Sequence, residues 1–170
     1  LSGTPLNAHV GTQAVTVQAE DTAGATATQT FTITISNTND APTITSTAPT
    51  SVDEDSAYSY TVTTSDVDVG DSVSLTGTTI PSWMAFDAET GVLSGTPSNS
   101  DVGSHSVTIT AEDDAGATAT DTFSITVANT NDAPTIDSTP VTSVDEDSVY
   151  SYTACLLYTS DAATRAVVWI

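Results

Sequence analysis

Apolar and polar residues alternate with a period of two along most of the chain, and no 3.6-residue period persists. Val107, Ile109 and Ala111 share one side of "SHSVTITA", with Thr108 and Thr110 on the other. Phe123, Ile125 and Val127 do the same in "TFSITV", as do Tyr58, Tyr60 and Val62, and Val73 with Leu75. Such alternation predicts half-buried strands. The Thr-rich outward faces suit strands, because β-branched side chains fit the pleat. Turn residues punctuate the runs at "ETG" (89–91), "GTPSNSDVG" (95–103) and "DDAGA" (113–117). The pattern predicts seven strands near 43–47, 57–63, 72–78, 83–87, 92–95, 104–111 and 118–128. Short strands at this spacing argue for an all-β sandwich.

The pattern also repeats on a longer scale. "NTNDAP" occurs at 37–42 and at 129–134, and residues 1–61 match 93–153 at 44 of 61 positions without a gap. Fixed-offset self-similarity of this kind marks a tandem array. It divides the chain into the C-terminal part of one unit (1–40), a complete unit (41–132) and the N-terminal part of a third (133–153). Residues 154–170, set against 62–78, match nowhere. This stretch holds the sole cysteine (Cys155), the sole basic residue (Arg165) and one of two tryptophans (Trp169). It reads as a foreign, adapter-like or frame-shifted tail, the plainer alternative being a genuine divergent terminus, and fold reasoning excludes it.

Charge narrows the choice of partners. Residues 1–153 carry 21 Asp and Glu and no Lys, Arg or Cys. Nucleic acid and anionic lipid are excluded, because phosphate binding needs Lys or Arg to displace counterions. Cations are the expected partners. The acids sit at turns between well-patterned strands, which separates this chain from an acidic disordered one. An acidic surface is also found in salt-adapted proteins, so charge alone does not specify a site.

"IPSWMAFDAETGVLSGTP" (80–97), "DVGSHSVTITAEDDAG" (101–116) and "FSITVANTNDAP" (123–134) resemble the dystroglycan-type cadherin-like module. They are also similar to the immunoglobulin-like repeats of large bacterial surface proteins. The resemblance covers 41–132 and both partial units. It implies tandem Ig-like or cadherin-like Greek-key β-sandwiches of about seven strands, exported to the cell surface or the extracellular space, and often calcium-binding. The size of the repeat agrees, since an immunoglobulin-like sandwich takes roughly 100 residues.

Cadherins hold calcium between successive domains, and the resemblance maps ligands onto this chain. The linker Asp-x-Asn-Asp is matched by Asn37, Asn39 and Asp40, and again by Asn129, Asn131 and Asp132, with Asn in place of the first Asp. The Asp-x-Asp element is matched by Asp66 and Asp68, with Asp71 close by. The Ala-x-Asp element is matched by Asp113, and the early acid by Glu54 in "VDED". The cadherin Asp-Arg-Glu element is absent; "GTPSNSD" leaves Asp101 as a weak substitute. Calcium accepts six to eight oxygens from carboxylates, amides, carbonyls and water, so these are suitable ligand types. The expected affinity is that of extracellular modules, on the order of 10⁻⁴ to 10⁻³ M. The first junction is expected to keep more of its site than the second. The positions that would serve the second from downstream hold Tyr158 and Ser160.

Each of these residues also has a plainer reading. Asn-Asp-Ala-Pro is a good linker in its own right, because Pro blocks helix and ladder while Asn and Asp close turns. The 66–71 run reads equally as a solvated loop, and Asp113 as a turn residue. Trp83 and Phe86 read as core rather than as a sugar platform. His9 aligns with Asp101 and His105 with Gln13, so neither histidine recurs between copies. That argues against a Ser-His-Asp triad. No His/Cys cluster suggests zinc and no Gly-rich loop suggests phosphate. The expected function is a non-enzymatic, calcium-stabilised structural or adhesive module of a large exported bacterial protein. Its expected partners are calcium, neighbouring repeats and a cell-surface protein or glycan. The alternative is an accessory, carbohydrate-binding module of a secreted hydrolase.

Overall fold

The computed structural model describes residues 2–133 and 135–154, and the backbone of 156–157. Thirteen strands are present among them: β1 (Gly11–Glu20), β2 (Thr26–Ile35), β3 (Thr43–Ile44), β4 (Ser51–Asp53), β5 (Tyr58–Thr61), β6 (Thr64–Ser65), β7 (Ser74–Thr79), β8 (Met84–Asp87), β9 (Val92–Gly95), β10 (Gly103–Glu112), β11 (Thr118–Ala128), β12 (Thr135–Ile136) and β13 (Leu156–Leu157). Two 3₁₀ turns, Asn7–His9 and Asn99–Asp101, are the only helical pieces among the described residues.

Residues 43–128 form a two-layer sandwich. One layer has the order β4-β11-β10-β7 and the other β5-β9-β8. After β7 the chain crosses to the opposite layer for β8 and β9, then returns as β10 beside β7. This is the Greek-key, cadherin-like and immunoglobulin-like arrangement. The alternating residues meet where the pattern places them. Tyr58, Tyr60, Val62, Met84 and Leu93 pack against Val107, Ile109 and Ile125. Leu93, Val107 and Ile125 lose all solvent contact, and fully burying a side chain of this size contributes ~1.5–3 kcal/mol. Phe123 meets Tyr60 edge-on across the core, with ring centroids 5.8 Å apart. Burial, and to a lesser degree the neighbouring Tyr60, push the Tyr58 hydroxyl up to about 12. That hydroxyl donates to the Pro49 carbonyl at 2.9 Å. Trp83 and Phe86 are partly buried against the same cluster. Gly95 has a steric reason to lack a side chain, since a Cβ there would lie 2.2 Å from the Trp83 carbonyl oxygen.

Strand limits differ from the expected ones for identifiable reasons. The strand expected at 43–47 ends at Ile44, with Thr45 carrying the same register one residue further by bonding Thr63 through its backbone (2.8 Å) and hydroxyl (3.1 Å). Pro49, which has no N–H, follows. The strand expected at 57–63 divides. Residues 58–61 pair with β9, and 64–65 switch to β3. The start of β7 moves to Ser74 because the Ser72 amide is drawn to Asp114 Oδ2 at 3.1 Å. The pattern gave no sign of β4. It runs parallel to β11, fixed by Thr126 N to Thr50 O and Glu54 N to Ala128 O, both 2.9 Å.

The hairpin β1–β2 repeats β10–β11 in register: Gly11 faces Ile35 as Gly103 faces Val127. No second layer covers it among the described residues. Val17, Phe31 and Ile33 therefore stay more than a third exposed, while Ile109 and Ile125, the counterparts of Val17 and Ile33, are buried. Past the central sandwich, β12 pairs with β13. Ile136 faces Leu156 there as Ile44 faces Thr64 in the sandwich. Backbone pairing thus extends into 156–157, beyond the point where sequence similarity stops. Residues 155 and 158–170, which include Tyr158 and Ser160, lie outside the described residues.

Candidate metal centre

The loop from β6 to β7 is built by its own acids. Asp66 Oδ1 accepts the Asp68 amide at 2.9 Å, the Asp71 amide donates to the Asp68 carbonyl at 3.3 Å, and Gly70 closes the bend at φ +100°. This Asx-type geometry is the usual reason for Asp in a turn, and here it gathers three carboxylates. Oxygens of Asp66, Asp68 and Asp71 all lie within 4.8 Å of one another, the one such acidic group among the described residues. Asp68 is 5% exposed. Its Oδ1, and Oδ2 of Asp66, are buried without a hydrogen-bond partner. Burial raises the Asp71 carboxyl above its ordinary range, and Asp114, Asp68, Asp66 and Asp113 push in the same direction.

Asp113 stands beside this loop, in the tight turn between β10 and β11. Its Oδ1 accepts the amides of Ala115 (2.9 Å) and Ala117 (2.8 Å). Gly116 supplies the positive φ that the turn requires. That is the structural role expected of a turn aspartate, and Asp21 repeats it in the β1–β2 hairpin. The other oxygen of Asp113 is left to face the linker and accepts the Asn39 amide at 2.8 Å. This bond is the main cause of a lowered Asp113 carboxyl; burial opposes it, and the turn amides add to it. The next linker residue is held as well. The Asp40 amide donates to Asp68 Oδ2 at 2.8 Å. Asn39, Asp40, Asp66, Asp68 and Asp113 are therefore together at one pole of the sandwich.

Glu54 marks the other pole. It follows β4, is 2% exposed, and accepts the Thr130 amide through Oε1. Its Oε2 is buried without a partner. The second linker leaves from here, with Asn131 turning its amide back to the Asp132 carbonyl at 3.4 Å, as Asn39 does to Asp40 at 3.3 Å. Asn37 and Asn129 are exposed.

Two residues at these junctions were not among the expected ligands. The amide of Asn7 donates to Asp40 Oδ2 at 2.8 Å, and that of Asn99 donates to Asp132 Oδ2. Each sits at the start of a 3₁₀ turn. Asp101, the weak substitute in the sequence comparison, instead caps the turn, accepting the Ser98 amide at 2.9 Å and the Ser98 hydroxyl at 2.7 Å. Those bonds lower its carboxyl, the hydroxyl first.

The donor set fits a hard cation. At the Asp66–Asp71 loop all candidates are oxygens, two of them are buried carboxylate oxygens with no hydrogen-bond partner, and carboxylates of like charge are crowded together; Glu54 holds one more such oxygen at the other pole. Burying an unpaired charge is costly unless an opposite charge compensates it.

Comparison with known proteins places the fold. A search of curated proteins finds no match. Among solved structures, extracellular cadherin domains 3–6 of protocadherin gamma B2 superpose with a TM-score of 0.57 at 23% identity, over 80% of this chain and 37% of that one. Cadherin domains 3–6 of protocadherin gamma B7 give 0.56 at 21% identity, over 80% and 38%. An endo-fucoidan hydrolase of glycoside hydrolase family 107 gives 0.48 at 28% identity, over 76% and 20%. The chain spans about a fifth to two fifths of the length of these structures. The model of the family described as "Putative Ig domain" matches residues 1–36 and 41–128, well over half of the chain, and the chain belongs to that family.

Proposed function

We propose that this chain is a calcium-binding, cadherin-like spacer or adhesive segment of a large exported bacterial surface protein, in which calcium stiffens the junctions between successive sandwiches. The observation that carries the reading is the set of buried, unpartnered carboxylate oxygens on Asp66 and Asp68 at one pole and on Glu54 at the other. Each pole also holds one of the two linkers. Asp66, Asp68, Asp71 and Asp113, with linker residues Asn39 and Asp40, would hold the ion at the first junction. Glu54, Asn131 and Asp132 would contribute upstream ligands at the second. The units, in this reading, are 1–40, 41–132 and 133–153.

When bound, calcium supplies positive charge that offsets the mutual repulsion of these carboxylates. The protein supplies the rest. The Asx-type loop fixes Asp66 and Asp68, and the β10–β11 turn fixes Asp113. Backbone bonds from the linker settle Asp40 beside them. Asn in place of the first linker Asp leaves one charge fewer, consistent with weak extracellular-type affinity of about 10⁻⁴ to 10⁻³ M. Isothermal titration of the chain with calcium tests the reading. Saturable binding in that range, lost in Asp66→Ala, is the expected result. No heat of binding up to ~10 mM calcium, well above that range, would overturn it.

A further inference from the structure

We infer that Asn7 and Asn99 are positioning residues that latch each linker aspartate to the 3₁₀ turn of the repeat before it, by bonds that require no cation. The inference rests on the proposed calcium reading only for the role of the linker as a shared ligand.

The same contact occurs twice. Asn7 Nδ2 donates to Asp40 Oδ2, and Asn99 Nδ2 to Asp132 Oδ2, at the 92-residue offset. Around each Asn the residues change: Leu6 becomes Ser98, Ala8 becomes Ser100, His9 becomes Asp101 and Gln13 becomes His105. The scaffold that presents the Asn does not change. In the first copy His9 Nδ1 accepts the Leu6 amide at 2.9 Å, and Gln13 Nε2 donates to the His9 carbonyl at 3.1 Å. In the second copy Asp101 accepts the Ser98 amide at 2.9 Å, and His105 Nε2 donates to the Asp101 carbonyl at 2.6 Å. A capping acceptor and a bracing donor are retained with different side chains, and what they preserve is the position of the Asn.

The chemistry of asparagine explains the choice. A carboxylate in that place would add one more negative charge to a crowded junction and would have no proton to give Asp40 or Asp132. The neutral amide donates to the linker carboxylate, and its oxygen is a hard ligand type should the amide turn over. At the first junction the linker is then held from both sides by protein groups alone: by Asn7 upstream, and downstream by Asp68 and Asp113. The linker is ordered before any ion arrives, and less of the binding free energy is spent on ordering it.

Backbone ¹⁵N relaxation of the whole chain tests this at Asn131 and Asp132, in chelator and in calcium. The wild type should keep order parameters near those of strands, about 0.85, in chelator. Asn99→Ala should fall below about 0.6 in chelator. Asn99→Asp, which has no amide proton to give Asp132, should be as mobile in chelator. The chemical shifts of β10 and β11, unchanged in both variants, would show that the sandwich is intact. Linker amides in Asn99→Ala that stay as ordered as wild type in chelator would overturn the latch. Loosening of the linker in Asn99→Ala supports the latch whether or not calcium alters it, and the calcium reading is decided separately by the heat of calcium binding to the whole chain.

Discussion

Replacing Asp68 by Asn should stabilise the protein in chelator and remove most of the stabilisation that calcium gives the wild type. The substituted carboxamide keeps an oxygen for the Asp40 amide, now 2.8 Å from Asp68 Oδ2, and nearly the same volume. It removes the charge on a carboxylate whose other oxygen is buried and unpartnered. The neighbouring Asp66 oxygen lies within 4.8 Å. Two like charges at that separation repel by about 3.5 kcal/mol at an effective dielectric of 20 and about 0.9 kcal/mol at 80. Asp66 is half-buried, so relief of this one pair should be worth about 1–3 kcal/mol in chelator. In calcium an opposing contribution enters. An ion that binds only the folded state adds RT ln(1 + [L]/Kd), about 1.4–2.7 kcal/mol at ~10 mM for Kd of ~1 to ~0.1 mM. For a domain of this size that corresponds to roughly 6–20 °C in Tm. Wild type should gain this increment and Asp68→Asn should lose most of it. Scanning calorimetry of both proteins, with chelator and with calcium, should therefore show the variant ahead in chelator and its lead narrowed or abolished in calcium. The reasoning fails if the variant is no more stable than wild type in chelator, or if it gains as much from calcium.

Two further perturbations separate the fold from the site. Leu93→Ala removes a side chain with no solvent exposure from the centre of the core; it should cost about 2–5 kcal/mol, equally in calcium and in chelator, as read from denaturant midpoints. Asp87 is held below the ordinary aspartate range by the Thr90 side chain first and by the Glu89 and Thr90 amides next, with burial opposing. A depressed folded-state pKa contributes stability above the unfolded value and loses it as pH falls through the folded one. The Tm gap between wild type and Asp87→Ala should thus be full at neutral pH and shrink as acidification protonates the carboxylate; a gap independent of pH would assign the effect to packing alone.

The long strands were readable because their pattern is local. Residues 118–128 and 103–112 alternate cleanly, and the observed limits of β10 and β11 lie within one residue of those expected. By contrast β4 has one apolar residue, Val52, beside an acidic run that reads as a turn. What makes it a strand is backbone bonding to β11, some 75 residues away, which no short window encodes. The acids of the candidate centre were readable through the resemblance to cadherin-type modules, and the fold brings Asn39, Asp40, Asp66, Asp68 and Asp113 together at one pole. The asparagines of the 3₁₀ turns were not legible from charge, which points to Asp101 instead. Their signal lies in the repeat: Asn7 and Asn99 are identical while Leu6, Ala8 and His9 are all replaced in the second copy.

The short parallel pair β4–β11 also bears on how the sandwich responds to tension. The chain enters beside the β10–β11 turn, where Asn39 meets Asp113, and leaves past Ala128 at the far end of β11. Pulling on the two linkers draws β4 toward the entry pole and β11 toward the exit pole. The bonds between Ser51–Asp53 and 126–128 are then loaded side by side, in shear, rather than opened one after another. Glu54, immediately after β4, anchors the Thr130 amide across the same seam. A three-residue strand with a single apolar side chain thereby carries, after the β3–β6 pair nearer the entry, the shear load between the two linkers.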